Sequence, residues 1–108
     1  LSISGLPSDH FYFEGFLPKK KGRKTRFEFL SSLDCSIVIF ESPNRICRTL
    51  KQIYDCFGNR VVSICREITK VYEQNYFGYI GDILENINDI KLKGEFVIII
   101  AKPGYSIE

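Results

Sequence analysis

Two stretches place charge where a fold alone gives it little use. In FESPNR, residues 40–45, a carboxylate and a guanidinium flank the junction between the apolar run at 37–40 and a helix start. A carboxylate directly after a buried strand loses solvation unless it is paired or faces a ligand. Arg45 is predicted as the third residue of that helix, where the macrodipole disfavours a cation by up to ~1 kcal/mol, so a local anion or a bound phosphate would rationalise it. Arg66 and Glu67 close a second apolar run, and Gly94-Glu95 opens a third. Ligands collect at the carboxyl ends of strands in layered α/β folds, so Glu41 and Arg66-Glu67 converge on one edge if their strands run parallel. The structural alternative is an internal network in which Arg66 pairs with Glu67 or Glu41.

The second stretch is KKKGRKTR, residues 19–26, in which six of eight residues are basic although the net charge of the chain is only +2. Such a run is either a solvated surface or a patch that contacts the phosphates of a nucleic acid. Other chemistries find little support. No phosphate-cradling glycine loop or nucleophile elbow occurs, and His10, the single histidine, has no nucleophile beside it. The four cysteines, Cys35, Cys47, Cys56 and Cys65, form no C-x-x-C pair, which suits buried reduced thiols of a cytosolic protein and not a metal site.

Elements that must position these residues follow from periodicity. The aromatic run at 11–16 reads as a strand, 25–33 as a helix carried by Phe27, Leu30 and Leu33, and 36–40 as a β-branched strand. Ser42 and Pro43 then read as an N-cap and a first helical residue. Ile46, Leu50, Ile53 and Phe57 form the stripe of the next helix, widened by Cys47 and Tyr54, and Gly58 ends it. Strands at 60–67, 71–79 and 95–101 and a helix at 81–90 complete the pattern. The runs at 60–67 and 95–101 lack polar alternation, as central strands covered on both faces do. Five strands and three helices, interleaved, predict a mixed α/β sheet in one domain, with an antiparallel pair because 67–71 is too short for a crossover helix. With 108 residues, 44% hydrophobic and 26% charged, the chain has the composition of a soluble domain, and no apolar run reaches the ~20 residues of a membrane span.

SGLPSDHFYFEGFLP, KKKGR, FESPNR, REITKVYE and GEFVIII occur in the order and spacing of the second half of the tetrapyrrole methylase superfamily. They most resemble its ribosomal branch, whose members methylate a cytidine ribose 2′-hydroxyl in small-subunit ribosomal RNA. The resemblance implies a mixed five-stranded sheet forming the C-terminal domain of a two-domain protein. Residues 1–108 would be that single domain, the N-terminal domain would lie outside this sequence, and the S-adenosylmethionine cleft would be shared between the two. It also implies a cytoplasmic homodimer and, for a fragment alone, little activity.

For the site, the resemblance implies cofactor contacts from Leu1, Ser2, Phe40, Arg66 and Glu95. Glu41 or Glu67 would accept the ribose proton and Lys70, or Arg66, would stabilise the oxyanion. Lys19, Lys20, Lys21, Arg23, Lys24, Arg45 and Arg48 would hold RNA phosphates. Asn44 stands where relatives often have histidine, and Tyr79 where they often have a threonine helix cap. Two other functions share features with this reading: methylation of a corrin or porphyrin precursor, and RNA binding without catalysis.

Overall fold

A computed structural model describes residues 10–69, 72–86 and 94–107. Among the described residues the elements are β1 (Phe11–Phe16), α1 (Arg23–Ser31), β2 (Ser36–Glu41), α2 (Ile46–Phe57), β3 (Val61–Thr69), β4 (Tyr72–Tyr79), α3 (Ile80–Glu85) and β5 (Glu95–Ile100). The sheet order is β1-β2-β5-β3-β4. β1 and β2 are parallel, whereas β5 lies antiparallel to both β2 and β3, so β2 and β3 point the same way with β5 between them. β3 and β4 form the antiparallel pair that the short connection requires. The β-branched run at 36–40 and the two runs without polar alternation are thus the three inner strands, each with neighbours on both edges.

All three helices pack on one face. Phe27 and Leu30 of α1, Ile46, Leu50 and Ile53 of α2, and Ile80 of α3 bury against Ile37, Ile39, Val62, Ile64, Phe96, Ile98 and Ile100. Each fully buried branched side chain contributes ~1.5–3 kcal/mol. The other face carries Val38, Val61, Ile99 and Ala101, covered in part by Phe11, Phe40, Tyr79, Val97 and Tyr105. Tyr54, expected to widen the α2 stripe, is 40% exposed; the stripe is completed instead by the buried Thr49.

A bulge in β1 explains the spacing of its aromatics. The register slips by one residue between Phe13 and Gly15, and Gly15 takes φ +73°, a conformation open to glycine. Phe13 and Phe16, three residues apart, would face opposite sides of a regular strand. The extra residue lets both rings pack edge-on against Phe40, at centroid distances of 5.1 and 5.5 Å.

Helix starts differ from expectation. α1 begins at Arg23, two residues early, because Gly22 at φ +83° turns the chain and the Arg23 N–H reaches the Lys20 carbonyl at 3.1 Å. α2 begins at Ile46 with Arg45 as N-cap, so Ser42 and Pro43 are not its cap and first residue. They occupy the first two positions of a β-turn, in which the Arg45 N–H donates to the Ser42 carbonyl at 3.1 Å, an arrangement that favours serine then proline as strongly as a helix start does. α3 starts at Ile80, after Tyr79 as N-cap, and its Gly81 N–H donates to Asn59 Oδ1 at 2.8 Å, so a residue from the connection between α2 and β3 supplies the acceptor. The continuation of this helix expected over 87–90 lies outside the described residues.

Candidate nucleic-acid interface

Glu41 ends β2 with its carboxylate turned to the helix side and only 3% exposed. Oε1 accepts the Ser42 N–H at 2.8 Å, the Arg45 Nε at 3.2 Å and the Ser42 hydroxyl at 3.5 Å. Oε2 accepts the Thr49 hydroxyl at 2.5 Å. The local anion that Arg45 requires is therefore Glu41 itself, and no external phosphate is needed to explain that cation. Four donors occupy the carboxylate, which makes Glu41 a bracket between β2, the turn and α2.

The network continues into the basic segment. Arg23 is 8% exposed, and its Nη2 donates to Thr49 Oγ1 at 2.9 Å and to Gln52 Oε1 at 2.7 Å. Its Nε also reaches Gln52 Oε1 at 2.9 Å, and Nη1 reaches the Pro18 carbonyl at 3.0 Å. Burial pushes the Arg23 guanidinium below its ordinary range; the Glu41 carboxylate opposes that shift while Arg48 and Arg45 add to it. Arg26 also has a structural task, pairing with both oxygens of Glu14 and donating to the Tyr12 hydroxyl at 3.1 Å. These bonds raise its pKa, the Glu14 bond most. The bulged Glu14 of β1 is thereby tied to α1.

KKKGRKTR thus divides by residue type. Its two arginines, whose planar forks suit fixed multi-point bonding, hold the fold together, whereas Lys19, Lys20, Lys21 and Lys24 are all exposed. Arg23, expected on the RNA surface, is instead turned inward among four acceptor contacts. Arg48 of α2 is exposed beside the lysines, and Arg45 is half-buried. Between α1 and α2 lies an open groove of about 700 Å³, with Lys20, Lys24 and Arg48 at one end, Phe27 in its floor, and Glu28 and Asp55 at the other end.

At the sheet end, Glu41 and Arg66 do come to one edge, as parallel strands require: both pair with Phe96, so they share a row and a face. Two strand spacings separate them by roughly 9–10 Å. Glu41 turns to Ser42, Arg45 and Thr49, so the expected Glu41–Arg66 pair is not the arrangement that forms. Arg66 is 2% exposed under the helices, whereas Phe40 and Glu95 belong to the opposite face, where Phe40 pairs with Val97. The residues expected around a cofactor are therefore split by the sheet. Phe40 and Glu95 can serve one surface together, but the buried Arg66 cannot join them. Glu67 is described through its backbone, which pairs with Glu95 and Glu73. Leu1, Ser2 and Lys70 lie outside the described residues.

Thr49, Gln52, Glu14 and Tyr12 were not foreseen as partners of the charged groups. One signal was available: a threonine hydroxyl within the buried stripe of Ile46, Leu50 and Ile53 demands a hydrogen-bond partner. Among the described residues no group of three His, Cys, Asp or Glu side chains could hold a metal ion, and no helix is long and apolar enough to cross a membrane.

No family model matches the chain. It is similar to proteins named Ribosomal RNA small subunit methyltransferase I. The protein of that name from Halalkalibacterium halodurans is 38% identical over 109 aligned positions, covering 100% of this chain and 38% of the relative. Those from Rickettsia prowazekii and Thermotoga maritima are 38% and 35% identical, each over 94% of this chain and over 36% and 46% of the relative. The chain thus spans between about a third and a half of the length of these relatives. This identity is sustained along nearly all of its residues, so the chain is homologous to a part of the proteins named ribosomal RNA small subunit methyltransferase I.

Proposed function

We propose that this chain is the C-terminal domain of an enzyme that transfers a methyl group from S-adenosylmethionine to a cytidine ribose 2′-hydroxyl in small-subunit ribosomal RNA. The observation that carries the reading is the 35–38% identity to methyltransferases of that name over nearly the whole chain. The exposed lysines of 19–24 and Arg48 support an RNA partner, since phosphate contacts dominate the affinity of such interfaces. They fit a tetrapyrrole substrate less well, because a macrocycle needs a concave apolar floor. The complete protein would act in the cytoplasm as a homodimer.

S-adenosylmethionine supplies an already activated methyl, so the protein's task is to position the acceptor oxygen and manage its proton. On this chain Phe40 and Glu95 are the described side chains that fit the donor, Phe40 as an apolar surface and Glu95 as a hydrogen-bond acceptor. Glu41, with its four bound donors, is a positioning residue in this reading. Proton acceptance falls to Glu67 and stabilisation of the oxyanion to Lys70.

The test is methylation of small-subunit ribosomal RNA by the complete protein that carries this chain, followed with a labelled methyl donor and mapped by nuclease digestion. Label on a cytidine 2′-oxygen is expected. Label confined to a small-molecule tetrapyrrole, or none on RNA, would overturn the proposal.

A further inference from the structure

The groove between α1 and α2 has a charge order that a simple phosphate track does not need. Along α1 Lys24 and Glu28 lie one turn apart on one line, and Lys20, from the turn before the helix, joins them in lining the groove. On α2 the facing line runs from Arg48 through Gln52 to Asp55. The two helices lie side by side in register: Arg23 of α1 bonds Thr49 and Gln52, and one turn further on the Cys56 thiol meets the Phe27 carbonyl at 3.6 Å. Cations therefore gather at one end and carboxylates at the other, separated by about 10 Å of helix between Arg48 and Asp55. Lys20, Lys24, Arg48, Glu28 and Asp55 are all exposed and available to a ligand.

We infer that this groove holds a single-stranded RNA segment, with successive backbone phosphates on Lys20, Lys24 and Arg48 and the exocyclic amino group of a base donating to Glu28 or Asp55. The inference rests on the RNA partner proposed above and adds a base preference to it. Carboxylates repel a phosphate backbone, so a ligand that runs past the lysines to this end of the groove is best met there by a hydrogen-bond donor. Cytosine N4 and adenine N6 are donors of the kind that acidic side chains accept, whereas uracil has no exocyclic amine. The volume of about 700 Å³ lies within the range of sites that bind small ligands, and Arg23 fixes its width by clamping α1 to α2.

The test is binding of six-nucleotide oligomers of C, A and U to the full 108-residue chain, by calorimetry across a salt series and by amide shifts in NMR. C and A oligomers are expected to bind at least about fivefold tighter than U, the lower end for a specific base contact, with shifts at Lys24, Glu28 and Asp55. Glu28→Ala with Asp55→Ala, which removes both acceptors, should bring that ratio to near one. Lys20→Gln with Lys24→Gln should reduce the salt slope by about 1.4, at ~0.7 per phosphate, and leave the ratio intact. Equal tightening of all three oligomers in the acidic-residue variant, with no preference in the wild type, would overturn the base contact. Equal binding of a polyglutamate peptide in the groove, or shifts elsewhere, would overturn the RNA occupant. Ribosomal RNA methylation by the complete protein despite such a failure leaves the proposed function standing, while groove binding without methylation separates the two in the other direction.

Discussion

Replacing Thr49 by valine removes one hydroxyl and leaves a side chain of the same shape on the same helix face. That hydroxyl is wholly buried, donates to Glu41 Oε2 at 2.5 Å and accepts from Arg23 Nη2 at 2.9 Å. A hydrogen bond to a charged group is worth ~1.5–3 kcal/mol, so two such bonds set an upper range of ~3–6 kcal/mol. Glu41 keeps Ser42 and Arg45, and Arg23 keeps Gln52 and Pro18, which brings the expected loss to about 3 kcal/mol. For a domain of this size that corresponds to a fall in Tm of ~12–24 °C. Far-UV circular dichroism suits the measurement, because the chain contains no tryptophan. Thr49→Ser keeps the hydroxyl and should lose only ~1 kcal/mol through its missing methyl. A Thr49→Val loss below ~1 kcal/mol, or a Thr49→Ser loss as large, would refute the bracket assigned to Glu41, Thr49 and Arg23.

Other substitutions probe the frame around that network. Gly22→Ala places a Cβ into open space but holds an L residue at φ +83°, so urea unfolding should show a loss of about 1 kcal/mol from conformation alone. Ile53→Ala, in the fully buried stripe of α2, should cost ~2–5 kcal/mol in the same assay. Glu14→Gln weakens the pair with Arg26, whose side chain is 35% exposed; the change should stay below ~1 kcal/mol and shrink further in high salt.

The order of elements was legible because the three inner strands are unbroken apolar runs and α2 has a regular stripe. What could not be read were choices between local solutions that tertiary contacts make. Ser42-Pro43 suits both a helix start and a β-turn, and the turn prevails where the Glu41 carboxylate accepts the Ser42 N–H and Arg45 together. The basic run shows its arginines and lysines in the sequence, but not the distant partners that turn the arginines inward. Its division depends on α2 presenting Thr49 and Gln52 to Arg23, and on the bulge at Gly15 presenting Glu14 to Arg26. The cofactor residues suggested by resemblance were neighbours at strand ends, yet alternation along the strands placed Phe40 and Arg66 on opposite faces.

The division of labour within KKKGRKTR is the central claim, and the salt dependence of ribosomal RNA binding tests it most directly. With Lys19, Lys20, Lys21, Lys24 and Arg48 on phosphates, log K against log salt should fall with a slope of about −3.5, at ~0.7 per contact on a single strand. Changing the four lysines to glutamine should bring the slope to about −0.7, while Arg26→Gln should leave it unchanged. A lysine variant that keeps the wild-type slope, or an Arg26→Gln variant that loses as much of it, would contradict the account.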